Sequence, residues 1–297
     1  MLLPKAAALK RYKITLIRRE ESCMQLSKYL TAVRKKNPLV HCITNYVTVN
    51  DCANILLASG GSPIMSQNKF EVAELVSAVD ALVLNMGTLE DLEAMLIAGK
   101  EANRLNKPVV LDPVAAGATN LRLDAVKELI SEIQFAVIRG NASEIKAILS
   151  GKKLGSGVDV SALDTVTTDN LPQAVEVARM LAEKTGSVIA VSGAIDIVTD
   201  GLQNAIVHNG CETMSRITGS GCMLTSLIGA FCSVADNNSY FSTTMSAITA
   251  MGVCGELADT RRLVNGTGNA SFRTDLIDAM FNLTGETLDG GARFEMV

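Results

Sequence analysis

The segment Ile217–Cys222, with the sequence ITGSGC, combines an anion-binding backbone with a thiol, and it opens a long uncharged stretch compatible with a helix. Gly219 and Gly221 leave bare backbone N–H groups that can close on an anion, and the N-terminus of a following helix adds a favourable partial charge. Such a place suits a phosphoryl group in transfer, with Cys222 beside the reacting atoms. Because glycines before helices are common, the segment alone is a weak signal.

Three polar residues stand at the ends of apolar runs upstream of this segment. Asp112 ends a run that begins at Lys107, and Arg139 and Ser192 end two later runs. In an open parallel sheet, ligands bind at the carboxyl ends of the strands. Taken singly, Asp112 could cap a turn, Arg139 could form a surface ion pair and Ser192 could be a turn residue. Because all three would share one edge with the glycine-rich helix start, together they predict a functional crevice.

Phosphoryl transfer from a nucleotide requires neutralisation of charge on several oxygens at once, usually by Mg²⁺ and a cationic side chain. Asp112 and Glu144 are the predicted magnesium ligands, either directly or through water. The planar guanidinium of Arg139 can donate paired hydrogen bonds to oxygens of the triphosphate. Ser192 can hydrogen-bond a phosphate oxygen, and the amides of Gly219–Cys222 would hold the transferred group.

The standard nucleotide-binding motifs are absent from the sequence. No G-x-x-x-x-G-K-[ST] segment occurs, and Gly219-x-Gly221 lacks the third glycine of a dinucleotide fingerprint because position 224 is leucine. A kinase with this sequence must therefore use another fold.

The elements that must position these residues alternate between short apolar runs and helix-patterned segments. The predicted strands are Leu39–Ile43, Leu82–Asn85, Pro108–Asp112, Phe135–Arg139, Val188–Ser192, Ile195–Thr199 and Ala205–His208. The predicted helices lie at about 50–59, 70–79, 90–104, 121–133, 141–149 and 171–185, and the tail from 220 to 285 is predicted to be almost wholly helical. Such alternation predicts parallel strands joined by right-handed helical crossovers.

The stretch Val188–His208 departs from this alternation, because three strand-like runs follow one another without room for a helix. Asp200-Gly201 is a turn signal, so an antiparallel ribbon is expected to border the sheet. No repeat or linker divides the chain, and residues 24–297 are predicted to form one domain. Residues 1–23 are basic, with no acid before Glu20, and are either a targeting leader or a misassigned start. They are expected to be disordered or peripheral.

Composition excludes several classes of protein. The net charge of −4 and the absence of tryptophan argue against a nucleic-acid partner. Two histidines are too few for a three-His metal site. The seven cysteines form no C-x-x-C pair, which indicates free thiols in a reducing cytoplasm. Hydrophobic residues make up 48% and charged residues 20%, which favours a large core, an apolar subunit interface or both.

Two uncharged stretches, 217–235 and 237–255, approach membrane-spanning length. They carry Gly, Ser, Thr and Asn at many positions, and Asp236 divides them. We interpret them as two buried helices of a soluble core, and no membrane partner is predicted.

Taken together, the motifs resemble those of the hydroxyethylthiazole kinase family, thiamine-salvage enzymes of the ribokinase-like superfamily. The resemblance runs from about residue 37 to the C-terminus. It rests on Pro38–Asn45, Gly61–Ser66, Asn85–Leu89, Asp112–Thr119, Arg139–Glu144 and Thr218–Cys222. It implies a three-layer α/β/α sandwich with a mostly parallel central sheet. The implied reaction is ATP-dependent, Mg²⁺-assisted phosphorylation of the hydroxyl of 4-methyl-5-(2-hydroxyethyl)thiazole, in a homotrimer that binds the thiazole between subunits.

The resemblance also assigns roles to residues of this chain. Met65 and Asn45 are expected to contact the thiazole, with Gly219 close by. The residues expected to contact ATP are Arg139, Ser192 and Asp112. The metal is expected near Asp112 and Glu144. The expected catalytic residues are Gly219, Gly221 and Cys222. Ala115 departs from the family pattern, which often has glycine after Asp-Pro-Val.

Cys222 stands where related sugar kinases place an aspartate base. A thiol with an ordinary pKa near ~8.5 is a poor base at neutral pH unless the helix N-terminus lowers that pKa. Our hypothesis is that Cys222 orients the substrate hydroxyl and assists proton loss only weakly; the alternative is a small residue that merely fits. His41, inside an apolar strand, is interpreted as a core histidine.

Two other functions remain open at this point. One is a kinase of the same fold acting on another small alcohol, such as a hydroxymethylpyrimidine or a sugar. The other is a non-catalytic protein that binds a thiazole or a nucleotide.

Overall fold

The computed structural model describes residues 25–153, 166–236 and 239–297, and the predicted leader at residues 1–23 lies outside them. The strands are β1 Leu39–Ile43, β2 Ser62–Ile64, β3 Ala81–Asn85, β4 Val109–Asp112, β5 Val137–Asn141, β6 Val188–Ser192, β7 Asp196–Thr199, β8 Asn204–Val207 and β9 Phe294–Met296. The helices are α1 Ser27–Lys36, α2 Val49–Ser59, α3 Val72–Ala78, α4 Leu92–Arg104, α5 Asn120–Glu132, α6 Ala142–Ser150, α7 Leu171–Thr185, α8 Ser220–Cys232, α9 Tyr240–Asn265, α10 Asn269–Asn282 and α11 Gly285–Gly291, with a short 3-10 helix at Glu212–Arg216.

All of these strands belong to one sheet, in the order β2-β1-β3-β4-β5-β6-β7-β8-β9. The first six strands of that order pair in parallel, and β7, β8 and β9 pair antiparallel. A helix separates consecutive parallel strands, whereas only three residues separate β6 from β7. Such a connection is too short for a crossover, so the chain turns back on itself as the sequence predicts. Gly201 supplies the next turn with a φ of +92°.

The sheet buries a hydrophobic core on each face. One core packs the sheet against α1, α2, α8, α9, α10 and α11, and the other packs it against α3 to α7. Successive side chains of a strand alternate between the faces, so both cores draw on the same strands. The predicted three-layer α/β/α architecture with a mostly parallel sheet is confirmed.

Helix α8 lies unusually close to the sheet. A Cβ atom at Gly229 would lie 2.5 Å from Val83 Cγ2, so the helix backbone can pack here only because this position has no side chain. Residues 223–232 of the helix are all buried. In the part of the chain that the structure describes, no helix is long and apolar enough to cross a membrane.

Three features of the sheet differ from the sequence-based prediction. Strand β2 was not predicted because it has three residues and includes Pro63; the edge of a sheet tolerates a residue without an N–H. Strand β9 is equally short and ends at an exposed edge. The strand predicted at Phe135–Arg139 was wrong by two residues, since β5 is Val137–Asn141. Arg139 is therefore the third residue of its strand and not the last.

Candidate active site

The predicted polar residues converge at the carboxyl edge of the sheet. Asp112 ends β4 and Ser192 ends β6, as predicted, and Asn85 ends β3 directly beside Asp112 in the register. Arg139 lies further back in β5, but its side chain faces the α8 layer because Val137, two residues earlier, packs in that core. The N-terminus of α8 therefore covers the groups that these strands present.

Asn85 links three of these groups through a buried amide. Its Nδ2 donates to Asp112 Oδ2 at 2.8 Å and to Cys222 Sγ at 3.2 Å. Its Oδ1 accepts from Asn45 Nδ2 at 3.0 Å and from the N–H of Gly87 at 2.9 Å. The side chain is 1% exposed, so this orientation has no competition from solvent.

Asp112 is a buried carboxylate held by neutral donors. Thr225 Oγ1 donates to its Oδ2 at 2.9 Å, beside the bond from Asn85. Its Oδ1 lies 3.7 Å from Arg139 Nη1, which makes a loose ion pair. Burial raises the pKa of Asp112, and the Arg139 charge and the two hydrogen bonds oppose that rise.

Arg139 lies beneath the start of α8, with its side chain 12% exposed. Its Nη2 donates to Ser192 Oγ, while its buried Nε has no hydrogen-bond partner among the described residues. A Cβ atom at Gly221 would lie 2.5 Å from Arg139 Nη1. Glycine at 221 thus lets the guanidinium reach the first turn of the helix, where an anion would also bind.

Gly219 is the N-cap of α8 and has a φ of +82°, a left-handed conformation that favours glycine. A Cβ atom there would also lie 2.6 Å from Thr48 Cγ2. The tight approach brings Cys222, in the first turn, against the residues at the end of β1. Its Sγ accepts from Asn45 Nδ2 at 3.6 Å, in addition to the bond from Asn85.

Burial raises the pKa of the Cys222 thiol, and the nearby charge of Asp112 raises it further. Hydrogen bonds from Thr48 and Asn85 and the Arg139 charge oppose this only in part. The thiol is therefore protonated at neutral pH, which makes it a weak base.

Glu144 fixes the backbone of two segments by hydrogen bonds and also places an acidic group in the site. Its Oε2 accepts the N–H of Asn141 at 2.8 Å and completes a capping box at the start of α6. Its Oε1 accepts the N–H of Ala115 at 2.8 Å, which ties the loop after β4 to this helix. Burial and the nearby Asp112 charge raise the pKa of Glu144. Ala115 has a φ of +57°, a left-handed conformation that is costly for any residue but glycine.

These two acids are the candidate magnesium ligands. Among the described residues, no group of three His, Cys, Asp or Glu side chains is placed to hold a metal. Asp112 and Glu144 nevertheless fit Mg²⁺, because their like charges already raise the pKa of Glu144 and a cation would relieve that repulsion. Since Mg²⁺ retains most of its waters and binds few carboxylates, the nucleotide and water would supply its remaining ligands.

Asn45 and Met65 lie at the same edge, towards the outside of the sheet. Asn45 Oδ1 accepts the N–H groups of Val47 and Thr48 at 3.1 and 3.2 Å, which fixes the loop after β1. Met65 follows β2, the neighbouring edge strand, and packs partly buried against the core beneath α8. The loops that follow β1 and β2 carry exposed apolar side chains: Tyr46 is 78%, Val47 58% and Phe70 88% exposed.

On the other side of Arg139 lies an open cleft of about 550 Å³. It extends from Arg139 and Ser192 across to the segment 209–215 and is closed at one end by Ser220 and Gly221. A second cavity of about 520 Å³ lies at the opposite, amino edge of the sheet, and none of the predicted site residues lines it. The carboxyl-edge cleft thus adjoins the groups that could hold phosphate.

The hydroxyethylthiazole kinase family model matches residues 30–286. The chain belongs to the hydroxyethylthiazole kinase family. A hydroxyethylthiazole kinase of Clostridium acetobutylicum is 48% identical over 272 residues, which cover 91% of this chain and 99% of that protein. The structure of a hydroxyethylthiazole kinase protein from Pyrococcus horikoshii OT3 matches with a TM-score of 0.80 and 34% identity, covering 92% of this chain and 98% of that one.

A pyridoxal kinase from Staphylococcus aureus, solved in complex with ADP, has a TM-score of 0.54 and 13% identity to this chain, and covers 74% of this chain and 88% of its own. At that identity the likeness concerns the fold alone. Together with the hydroxyethylthiazole kinase structure, it confirms the expected ribokinase-like fold. The resemblance inferred from the sequence motifs is also confirmed.

Within this member of the hydroxyethylthiazole kinase family, sequence reasoning missed two residues of the site. Asn85 was noted only as part of a motif, and Thr225 not at all. An uncharged polar residue that ends a fully buried strand was the available signal for Asn85. Thr225 lies one turn after Gly221 on α8, and its contact with Asp112 spans 113 residues of sequence. Only the folded arrangement of helix and sheet brings that pair together.

Proposed function

We propose that this chain phosphorylates the primary hydroxyl of 4-methyl-5-(2-hydroxyethyl)thiazole with ATP, as a thiamine-salvage kinase. Membership of the hydroxyethylthiazole kinase family over nearly the whole chain carries the proposal. The convergence of Asp112, Arg139 and Ser192 under the glycine-rich start of α8 supports it, because transfer of a phosphoryl group requires such a set of positioned charges and donors.

In this proposal, ATP occupies the cleft beside Arg139. The guanidinium and Ser192 hold phosphate oxygens, and the N–H groups of Gly219–Cys222 face the phosphoryl group in transfer. Arg139 is already oriented by Ser192, and its unpartnered Nε leaves donor capacity for a nucleotide oxygen. Preorganised donors of this kind stabilise developing charge without reorganisation.

The thiazole alcohol would bind on the opposite side of Cys222, near Asn45, Met65 and Gly219. Cys222 then lies between the alcohol and the phosphates and orients the hydroxyl. Because its thiol has a raised pKa, it contributes little as a base. This assignment suits phosphoryl transfer, which depends mainly on alignment and charge stabilisation.

Mg²⁺ would be held near Asp112 and Glu144, where it would neutralise charge on the phosphate oxygens. Asn85 and Thr225 hold the Asp112 carboxylate in place through its Oδ2. Glu144 remains fixed by two backbone N–H groups. Asp112 and Glu144 thus form a rigid acidic region whose charge a bound cation would neutralise.

The quaternary structure and the compartment are part of the same proposal. We propose a homotrimer whose subunits meet near Asn45 and Met65, so that a neighbouring copy covers Tyr46, Val47 and Phe70, which are exposed in the single chain. We also propose a cytoplasmic location. The six cysteines of the described residues are all free, which suits a reducing compartment.

A coupled ADP-release assay with purified protein, ATP and Mg²⁺ tests the reaction and the substrate together. Release should depend on hydroxyethylthiazole and should be far weaker with a hydroxymethylpyrimidine or with ribose. If another alcohol supports the faster turnover, the substrate assignment is wrong although the chain is a kinase. If ATP binds and no alcohol stimulates ADP release, the chain is a non-catalytic binding protein.

A further inference from the structure

Arg122, in the first turn of α5, joins the loops that follow β3 and β4. Its Nη1 donates to Met86 O at 2.6 Å and to Val114 O at 3.1 Å, and its Nη2 donates to Gly87 O at 3.0 Å. All three acceptors are backbone carbonyl oxygens, and hydrogen bonds from a charged donor are stronger than those between neutral groups. The sequence patterns assigned Arg122 only to a predicted helix.

The position of Arg122 is unfavourable for a cation within its own helix. It is the third residue of α5, and the first turn of a helix carries a positive partial charge that repels cations. The N-cap residue Thr119 accepts the Arg122 N–H through its Oγ1 at 3.2 Å and fixes the backbone there. The charge of this side chain therefore does not stabilise the helix, and its contribution lies in the bonds to the two loops.

The two residues that Nη1 binds also fix the end of β4. Asp112 O accepts the N–H of Met86 at 3.0 Å and the N–H of Val114 at 2.9 Å. Arg122 Nη1 donates to the carbonyl oxygens of these same two residues. Met86 and Val114 are thus each held on one side by the Asp112 backbone and on the other by the guanidinium. A displacement of either loop therefore disturbs the residue whose carboxylate lies at the centre of the proposed site.

The bond from Nη2 reaches the Asn85 amide through one intervening residue. Gly87 donates its N–H to Asn85 Oδ1 at 2.9 Å, while its carbonyl oxygen accepts from Arg122. A Cβ atom at Gly87 would lie 2.6 Å from Asn45 Cβ, so the loop lies directly against a side chain proposed to contact the alcohol. Arg122 therefore also fixes the support of the Asn85 amide.

We propose that Arg122 is a positioning residue for phosphoryl transfer: by holding the loops after β3 and β4 together, its guanidinium keeps Asp112 and Asn85 aligned with the start of α8. The inference rests on the proposed function, since it requires that the phosphoryl group be transferred at this edge of the sheet. Arginine suits the role because its two Nη atoms donate in a fixed plane to acceptors on separate loops, whereas a lysine donates from a single nitrogen.

Arg34→Ala is the matched control for Arg122→Ala. Arg34 also donates to three backbone carbonyl oxygens, at the end of α10, and it lies beside Gly60, just before the amino end of β2 and so at the opposite edge of the sheet. Both substitutions should lower the free energy of unfolding, whereas only Arg122→Ala should lower kcat, by about tenfold to hundredfold. The KM for ATP should change little, because Arg139 and Ser192 do not bond Arg122.

Guanidinium ion at about 50 mM supplies the missing group without unfolding the protein, since unfolding requires molar concentrations. It should restore part of the kcat of Arg122→Ala, while the same concentration of KCl should not, and the kcat of Arg34→Ala should respond to neither. Arg122→Lys keeps the charge and one donor nitrogen, so its kcat should lie between those of Arg122→Ala and the wild type. Urea unfolding gives the folded fraction by which each kcat is corrected.

An equal kcat per folded molecule in Arg122→Ala and Arg34→Ala would overturn the inference and leave the kinase proposal intact. If Arg122→Ala does not fold, a wild-type kcat in Arg122→Lys would overturn it in the same way. A loss of kcat that neither guanidinium ion nor Arg122→Lys reduces would also overturn it, because the missing hydrogen bonds would then not be the cause. If the wild-type protein shows no turnover that depends on the alcohol, the proposed function fails and this inference fails with it.

Discussion

At the scale of single residues, the Asn85 amide connects the side of the site proposed for the alcohol to the side proposed for phosphate. One side chain donates to both Asp112 and Cys222 and accepts from Asn45. Any displacement of this amide therefore changes the orientation of a carboxylate and of a thiol together. The site depends on that shared support, because neither group has the freedom of an exposed side chain.

Asn85→Ala should lower kcat by about tenfold to hundredfold, because a misplacement of reacting groups by a fraction of an ångström is costly in transfer reactions. The change in KM for ATP should be smaller, since Arg139 and Ser192 do not contact Asn85. Steady-state kinetics with hydroxyethylthiazole and ATP separate the two effects.

Asn103→Ala is the matched control for that substitution. Asn103 also uses both ends of its amide, donating to Gln134 O at 2.9 Å and accepting from its N–H at 2.7 Å, but it lies at the other end of the sheet. The Asn103→Ala variant should lose about 1–3 kcal/mol in the free energy of unfolding, while its kcat stays close to that of the wild type. If kcat falls equally in both variants, Asn85 has no positioning role beyond folding.

At the scale of elements, the loop after β4 carries a strained alanine. Ala115 has a φ of +57°, and its N–H bonds Glu144, so the structure holds it in a conformation that glycine adopts more readily. The sequence showed that Ala115 departs from the family pattern, which often has glycine at this position. It did not predict that the alanine would retain the left-handed conformation of a glycine.

Ala115→Gly should stabilise the protein by up to about 1 kcal/mol, because relief of the left-handed conformation outweighs the extra entropy of glycine in the unfolded chain. Urea unfolding measures the change. Ala292→Gly is the comparison, since Ala292 has a φ of −64° and should only lose stability. Two equally destabilised variants would show that Ala115 carries no strain.

Elements also explain why part of the fold could be predicted and part could not. The long alternation of strands and helices predicted β1 and β3 to β6, because a fully buried parallel strand is a continuous apolar run. The three adjacent strand-like runs of Val188–His208 predicted the antiparallel strands β7 and β8. Strands β2 and β9 have three residues each, and their pairing depends on a neighbouring strand and not on their own pattern. The two-residue error at β5 arises because Phe135 is buried like a strand residue although it precedes the strand.

The predicted site residues were accessible to sequence reasoning where a rule of topology applied. Asp112 and Ser192 were placed by the rule that ligands meet the carboxyl ends of parallel strands. The contacts of Thr225 and Asn85 were not accessible, because they depend on how closely α8 packs on the sheet. Gly229 controls that distance, and its importance appears only when the helix is seen against Val83.

At the scale of the whole molecule, stability should depend on pH through a histidine of the core. His41 is fully buried, its Nε2–H donates to Ser66 O at 2.8 Å, and its Nδ1 has no partner among the described residues. Burial lowers the pKa of His41, and the Ser66 bond and Glu71 only partly oppose this. Below a pH of about 6.5 the unfolded chain therefore binds a proton that the folded chain resists.

The free energy of unfolding should fall as the pH drops from about 6.5 towards 5, and His41→Gln should lose less over the same range because glutamine does not titrate. Urea unfolding at a series of pH values measures both curves. His208→Gln is the control, because His208 is largely exposed and pairs with Glu295 at the edge of the sheet. Parallel curves for the wild type and His41→Gln would contradict this assignment.

The whole account requires that the carboxyl edge of the sheet be the place where phosphate is transferred. Phosphorus NMR of reactions with ATP, Mg²⁺ and hydroxyethylthiazole follows the phosphate ester itself, for the wild type and for Asp112→Asn under identical conditions. Asparagine keeps an acceptor for Asn85 and Thr225 but removes the charge, so the folded variant should form the ester at least about a hundredfold more slowly. Ester formation by Asp112→Asn at the wild-type rate would contradict the account, because the reaction would then occur elsewhere.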